Sequence, residues 1–378
     1  MAVTSNAAVS IRSWAGVTMP AWWAPLLKLG FTLSYVLLAP VVGPLADAFP
    51  KARLMAWMNG VKIAGVAALL AGLNPVAAFV VVGFGAAAYA PAKYGLVTEL
   101  VPPQQLVAAN GWLEVTVVCA VLLGTVLGGV LVSPLVAGLA AQGVSALHLL
   151  LAVYALAAWL NLGVPDSGAR YEGRPIHPWA LWQDFRAGNA TLWRDTLGGL
   201  SLAATTLFWG VGATLQFVVL RWAQERLGLP LHQASYLQAV VAVGVVGGAA
   251  LAGRFVPLAR APHMLGFGVA LGLMLPVVAL ASSLWLAAPL LLIAGDVGGL
   301  MVVPLNALLQ HRGCELLTAG RSIAVQGFNE NASILVMLAL YAALVALEVA
   351  IVPLMVGFGL AIALAIGALI WRRRRGTG

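Results

Sequence analysis

Apolar runs of about twenty residues, each long enough to carry an α-helix across a bilayer core, recur along almost the whole chain. A chain built this way has few options. In hydrocarbon every backbone N–H and C=O must be satisfied internally, so each run becomes a helix. Eleven such runs occur, at about residues 22–46, 54–72, 76–98, 106–132, 144–164, 198–220, 234–255, 264–281, 284–309, 319–343 and 345–371. Of 378 residues 62% are apolar and 8% charged, with a mean hydropathy of +0.98. A soluble domain is about one quarter charged, so 20 Lys+Arg and 12 Asp+Glu cannot clothe a water-facing surface of this size. Soluble enzymes, nucleic-acid binders and secreted modules are excluded. The chain reads as an all-α polytopic membrane protein.

The net charge of +8 reflects topology rather than nucleic acid, because cytoplasmic loops of membrane proteins carry excess Lys and Arg. Alternate connections hold Lys51 and Arg53; Arg170, Arg174, Arg186 and Arg194; Arg254 and Arg260; Arg312 and Arg321; and Arg372–Arg375, fourteen basic residues in all. The opposite side holds three: Arg12, Arg221 and Arg226. This bias places the central loop and the C-terminus in the cytoplasm and, with an odd number of spans, the N-terminus outside. Cys119 and Cys314 suggest neither a disulfide nor a metal site. The first seventeen residues carry one basic residue and no continuous apolar core, so they do not read as a signal peptide.

The longest connection divides the chain into residues 1–164, a linker at 165–197, and residues 198–378. Within the linker, PIHPWALWQDFRAGNATLWRD interleaves Trp179, Trp182, Phe185 and Trp193 with charge. It reads as a short helix lying in the membrane interface, against the alternative of a disordered linker. Trp22, Trp23, Trp57, Trp222, Trp285 and Trp371 fall near span ends, where an aromatic belt is expected.

Two stretches resemble each other across the linker. PAKYGLVTELVPPQQLVAANGWLE begins at Pro91, and PLNALLQHRGCELLTAGRSIAVQGFNE begins at Pro304. Each ends on an [NQ]-G-aromatic-x-E motif: Asn110-Gly111-Trp112-Leu113-Glu114 answers Gln326-Gly327-Phe328-Asn329-Glu330. The offset is 213 at the prolines and 216 at the glutamates. Both copies run in the same direction across the membrane, which makes the repeat parallel, as between the two halves of a major facilitator transporter. By the same offset the partner of span 198–220 would precede residue 1, so the eleven spans are expected to be twelve without the first.

The connection after the first span, GPLADAFPKAR, resembles the major facilitator loop signature, with Ala48 where a basic residue is usual. Gly43 permits close helix approach. Asp47 can accept from backbone N–H groups or a basic partner, and Lys51 and Arg53 anchor the loop.

Six ionisable residues fall within spans: Lys28, Lys62, Lys93, Glu114, Asp296 and Glu330. Each unpaired charge near the bilayer centre costs at least about 2.5–3.5 kcal/mol, so these residues should face the interior and find partners. Glu114, Lys62, Asp296 and Glu330 lie about nine to twelve residues from a span end, near mid-depth at about 1.5 Å per residue. They either line a cavity that binds a charged headgroup or a coupling ion, or form permanent ion pairs between helices. Lys93 lies closer to the cytoplasmic end, where gating and snorkelling are both open to it; Lys28 snorkels. Asp296 has no counterpart at the 213 offset. Glycines four apart (Gly124/Gly128, Gly244/Gly248, Gly268/Gly272 and Gly295/Gly299) suit close helix packing, and Pro91, Pro276 and Pro304 can act as bends. No nucleophile elbow, phosphate-binding loop or metal-ligand spacing is present in the sequence. No cofactor is expected, and any driving force is an ion gradient, the membrane potential or the substrate gradient.

AAAYAPAKYG, AANGWLE, SLAATTLFWGVGATL, VVPLNALLQHRG and IAVQGFNENASILVML resemble the bacterial lysophospholipid transporter family of the major facilitator superfamily. The resemblance covers nearly the whole chain from about residue 22. It implies a major facilitator fold of two pseudo-symmetric helix bundles that moves lysophosphatidylethanolamine and lysophosphatidylglycerol to the cytoplasmic leaflet of the inner membrane. There, family members supply an acyltransferase/acyl-carrier-protein synthetase. Lys62, Lys93, Glu114 and Glu330 match the family; Gln216 stands where the family has an arginine, for which Arg221 substitutes only in part. With Asn110, Asn306 and Gln326 these are the residues expected to line the cavity, and Gly43, Asp47, Lys51 and Arg53 the gating loop. A monomer is expected, with membrane lipids around it and no nucleic acid. A multidrug efflux carrier and a non-transporting scaffold or receptor are the competing readings.

Overall fold

The computed structural model describes residues 13–14, 17–18, 23–131, 146–169, 171 and 177–376. Near its start a two-residue ladder, β1 (Ser13–Trp14) with β2 (Val17–Thr18), pairs Ser13 with Thr18. Twelve α-helices follow among the described residues: α1 (Trp23–Ala48), α2 (Lys51–Leu70), α3 (Pro75–Leu100), α4 (Leu106–Leu131), α5 (Ala146–Leu162), α6 (Pro178–Arg194), α7 (Thr196–Leu227), α8 (Leu231–Phe255), α9 (Leu265–Leu280), α10 (Leu284–Leu316), α11 (Ala319–Ala346) and α12 (Ile351–Gly376). Every expected span coincides with one of them. Ten are long and apolar enough to cross a membrane, while α5 is 17 residues long. Arg12, Trp22, Arg170 and Arg174 lie outside the described residues, as do the side chains of Trp23 and Lys28 and the surroundings of Gly128.

Helix ends differ from the hydropathy limits where local chemistry overrides them. Asp195 caps α7, its carboxylate accepting from the N–H groups of Leu197 (3.2 Å) and Gly198 (2.7 Å), as a helix N-terminus requires. The same helix passes Arg221 and stops only at Gly228, whose φ of 65° is the left-handed C-terminal turn that glycine favours. Trp222, five residues before Leu227, is fully buried within the protein rather than exposed as a belt residue, and its indole N–H donates to the Ala279 carbonyl at 3.1 Å. The break expected at 343–345 falls later, beyond Ala346, where Glu348 takes a φ of 55°. Helices α3, α9 and α10 continue through Pro91, Pro276 and Pro304.

The chain packs as two compact units. One contains Met1–Leu100, Val121–Gly188 and Leu317–Phe328, and the other Val101–Ala120, Asn189–Leu316 and Asn329–Gly378. In the first, α1, α2 and α3 meet over Val42, Ala46, Leu54, Met55, Met58, Ala88 and Leu96. In the second, α8 and α10 touch through glycine. A Cβ on Gly248 would lie 1.9 Å from the Asp296 carbonyl oxygen, and one on Gly295 would lie 2.2 Å from that of Val241. Membrane helices lack a hydrophobic drive toward each other, and close approach over small residues supplies van der Waals contact instead. The expected close approach thus holds at Gly244/Gly248, Gly268/Gly272 and Gly295/Gly299, whereas a Cβ on Gly124 would meet nothing within 4 Å.

The linker helix α6 buries Phe185, Gly188 and Leu192 along one side. The neighbouring face leaves Trp179, Trp182 and Trp193 exposed, beside Arg186. These positions share one face at helical spacing, the pattern of an amphipathic interfacial helix.

Candidate functional site

Lys62 occupies the middle of α2 and is 9% exposed. Its ammonium donates to Asn59 Oδ1, one helical turn away, at 3.1 Å. It lies 4.1 Å from the centroid of the Tyr89 ring and 5.5 Å from that of Tyr154. Tyr89, on α3, is in turn 3.5 Å from the side-chain amide of Asn161 on α5. Three helices of one unit therefore surround this cation with aromatic faces and an amide, and Lys62 has no carboxylate partner among the described residues. Cation–π contact is worth about 0.5–2 kcal/mol, which offsets only part of the desolvation of a charge at this depth.

A second constellation sits in the same unit at the basic ends of its helices. Asp47 accepts from the Thr318 hydroxyl and from the backbone N–H groups of Gly320 (2.8 Å) and Arg321 (3.2 Å). Its carboxylate thereby caps α11, a favourable place for negative charge. Gly43 makes that approach possible, because a Cβ there would lie 2.9 Å from the Arg321 Cα. Lys51 is buried between Asp47 (3.9 Å) and Glu99 (2.5 Å). Glu99 also accepts from the hydroxyls of Ser167 and Tyr171, and Arg321 pairs with Asp184 of α6 at 2.7 Å. Arg53 is exposed.

The other expected residues are placed differently. Asn110, 4% exposed, donates to the Leu106 carbonyl at 3.0 Å and to Gln310 Oε1 at 2.9 Å, tying α4 to α10 within the second unit. Gln216 is exposed and exchanges bonds with Gln238. Arg221, five residues on, holds Glu225 at 2.6 Å. Lys93, Glu114, Asn306 and Glu330 are half-buried and Gln326 is buried; Lys93 lies 4.7 Å above its neighbour Tyr94. Lys62, Lys93 and Gln326 belong to the first unit, and Asn110, Glu114, Gln216, Asn306 and Glu330 to the second.

Sequence reasoning missed Asn59, Tyr89, Tyr154, Glu99, Thr318 and Gln310. Two of these carried a readable signal. Asn59 lies three residues before Lys62, and Glu99 stands 213 residues before Arg312, so the two repeat copies carry opposite charges at one position. No group of three metal-ligating side chains occurs among the described residues.

Comparison with known proteins places the chain in context. The sequence pattern described as Major Facilitator Superfamily matches residues 17–315. A protein of Salmonella arizonae named Lysophospholipid transporter LplT is 42% identical over 94% of this chain and 88% of its own length. One of the same name from Yersinia pestis is 44% identical over 88% of this chain and 80% of its own. Among solved structures, the major facilitator transporter FucP in its outward conformation aligns over 100% of this chain and 94% of its own, with a TM-score of 0.70 at 14% identity. The human organic anion transporter MFSD10 aligns over 90% of this chain and 83% of its own, with a TM-score of 0.70 at 15% identity.

Proposed function

The chain belongs to the major facilitator superfamily, and we propose that it carries lysophospholipids across the bacterial inner membrane to the cytoplasmic leaflet by alternating access. The relatives named above as lysophospholipid transporters support this substrate class. The observation that carries it on this chain is Lys62, a cation at membrane depth clothed in tyrosine rings and lacking a carboxylate among the described residues. Such a group is short of one negative charge. The phosphate of a lysophosphatidylethanolamine or lysophosphatidylglycerol headgroup would supply it, while the single acyl chain needs only the apolar surface that the rest of the interior offers. A sugar carrier would need many more hydrogen-bonding side chains.

In this reading Lys93, Glu114, Gln216, Asn306, Gln326 and Glu330 meet the substrate, Asn110 holds α4 to α10, and Gly43, Asp47, Lys51 and Arg53 form the gating loop. The basic connections and the C-terminus face the cytoplasm, as the charge bias directs. The protein works as a monomeric carrier without catalysis or cofactor. The lysolipid it delivers is a substrate for an acyltransferase/acyl-carrier-protein synthetase at that leaflet.

Purified full-length protein in vesicles, given fluorescent lysophosphatidylethanolamine or lysophosphatidylglycerol, tests this. Lys62→Met should lower the transfer rate about tenfold or more, equivalent to ~1.4 kcal/mol, and Lys62→Arg should retain part of it. A wild-type protein that moves a cationic drug and no lysolipid would establish efflux instead. One that moves neither would favour a scaffold.

A further inference from the structure

Topology needs only the number of basic residues on one side of the membrane, and the run Arg372–Arg375 contributes to it wherever its side chains point. The structure gives these residues a definite position as well. Helix α12 continues unbroken through all four to Gly376. Arg372 lies twenty-one residues after Ile351, about 32 Å along the helix axis at ~1.5 Å per residue. That is just past a hydrocarbon core about 30 Å thick. The arginines therefore leave the apolar layer on a continuous helix, at the depth of the lipid phosphates.

The four do not share one face. One stripe of α12 is buried at Leu354, Met355, Ile362 and Ile366. On this side Gly359 and Ile366 meet Gly272 and Gly268 of the antiparallel α9. Arg373, seven residues after Ile366, continues that packed stripe and is half-buried. Another stripe is exposed at Leu360, Leu364 and Ala368, and Trp371, Arg372 and Arg375 extend it, all exposed, at the three- and four-residue steps that keep to one side of a helix. The face that meets acyl chains through the core thus turns aromatic and then cationic where the core ends.

The Arg375 guanidinium lies 3.8 Å from the centroid of the Trp371 ring, one turn back toward the membrane. Tryptophan settles at headgroup level, so the stack draws this charge down to the lipid surface instead of leaving it in water. A stacked guanidinium keeps its N–H edge open for the two-pronged hydrogen bonding that phosphate accepts. Arg372 stands three residues away on the same side, close enough to address the same anion. Neither arginine has a carboxylate partner among the described residues: α12, α9 and the 3-10 turn Leu258–Met264 before α9 contain no Asp or Glu.

We propose that Trp371, Arg372 and Arg375 form a binding site for the phosphodiester headgroup of an anionic diacyl lipid in the surrounding leaflet. The acyl chains lie along the Leu360 and Leu364 stripe, and the phosphate accepts from the two guanidinium groups. A negatively charged leaflet attracts basic residues placed just outside a spanning helix; the stack on Trp371 turns that attraction into a located site. The site does not depend on the lysolipid reading. Native mass spectrometry of the full chain, released from detergent holding equal amounts of phosphatidylglycerol and phosphatidylcholine, tests it. The wild type should retain phosphatidylglycerol several-fold over phosphatidylcholine. Arg372→Gln with Arg375→Gln should bring the two lipids to parity. Arg373→Gln with Arg374→Gln removes the same charge and should keep most of the preference, and Arg372→Lys with Arg375→Lys should fall between. A monodisperse elution profile and an unchanged thermal transition would show that the variants fold. Equal losses in the two glutamine pairs, or no preference in the wild type, overturn the site. So does displacement of the lipid by an equal concentration of inorganic phosphate. A preference that Lys62→Met abolishes and Arg372→Gln with Arg375→Gln leaves intact puts the lipid in the transport path and also overturns it. If the wild type moves no lysolipid, the transport reading fails while the lipid ratio still decides this site.

Discussion

Gly111 and Gly327 occupy the same place in the two copies of the repeat, and they serve different ends. A Cβ on Gly111 would lie 2.8 Å from the Ala249 carbonyl oxygen and 3.2 Å from the Gly253 Cα, so this glycine is where α4 meets the backbone of α8. A Cβ on Gly327 would meet nothing within 4 Å. The charges near the end of the preceding helix in each copy diverge too. Glu99 holds the buried Lys51 in the first copy, while its counterpart Arg312 holds the cap Asp195 at 2.6 Å in the second, with 30% of the arginine side chain exposed. A repeated motif thus preserves where the helices run. The contacts made at each position are set by the partner helix, which the repeat does not duplicate.

That contrast can be broken experimentally. The largest effect belongs to Glu99→Gln, which leaves the Lys51 ammonium buried beside only the more distant Asp47. Removing one partner of a buried pair costs about 3–5 kcal/mol, read as a loss of unfolding free energy in detergent. Arg312→Gln should cost under ~1 kcal/mol, as half-exposed pairs do; equal losses would show that exposure does not distinguish the two copies. Next comes Gly111→Ala, expected to destabilise by about 1–3 kcal/mol through overpacking against backbone. Gly327→Ala should instead stabilise by about 0.5–1 kcal/mol, because alanine is the better helix former. A thermal-shift series on both variants reads the opposite signs.

The smallest effect is confined to acid. The hydrogen bond from Arg312 holds the Asp195 carboxyl below the usual carboxylate range, helped by the Gly198 and Leu197 N–H groups and opposed by partial burial. The folded value is the lower one, so the stabilisation is present above the unfolded value of about 3.9 and disappears as pH falls through the folded value. Asp195→Asn should flatten the acid limb of a stability–pH profile and leave its shape at higher pH unchanged.

Hydropathy located the helices because a bilayer punishes every unpaired backbone group in the same way. It misplaced ends where the deciding feature was conformational. The turn at Glu348 sits in an apolar stretch, Leu347 to Ala350, and α7 passes Arg221 to end at a left-handed glycine. Individual candidates were visible, Lys62 as a charge within a span and Asp47 through its loop motif. Their surroundings were not, because Tyr89, Tyr154 and Asn161 reach Lys62 from other helices, and Thr318 and Gly320 lie more than 270 residues from Asp47. Contacts of that separation depend on which helices become neighbours, and sequence spacing carries no record of it.

The first unit takes in Leu317–Phe328 from beyond the linker, and the second takes in Val101–Ala120 from before it. Cutting the chain in the linker would therefore leave each fragment without a piece of its own core and holding a piece of the other's. Such a protein resists division into modules. Fusion, domain swapping or split-reporter designs that treat the linker as a seam would separate Asp47 from the helix it caps, and Asn110 from Gln310.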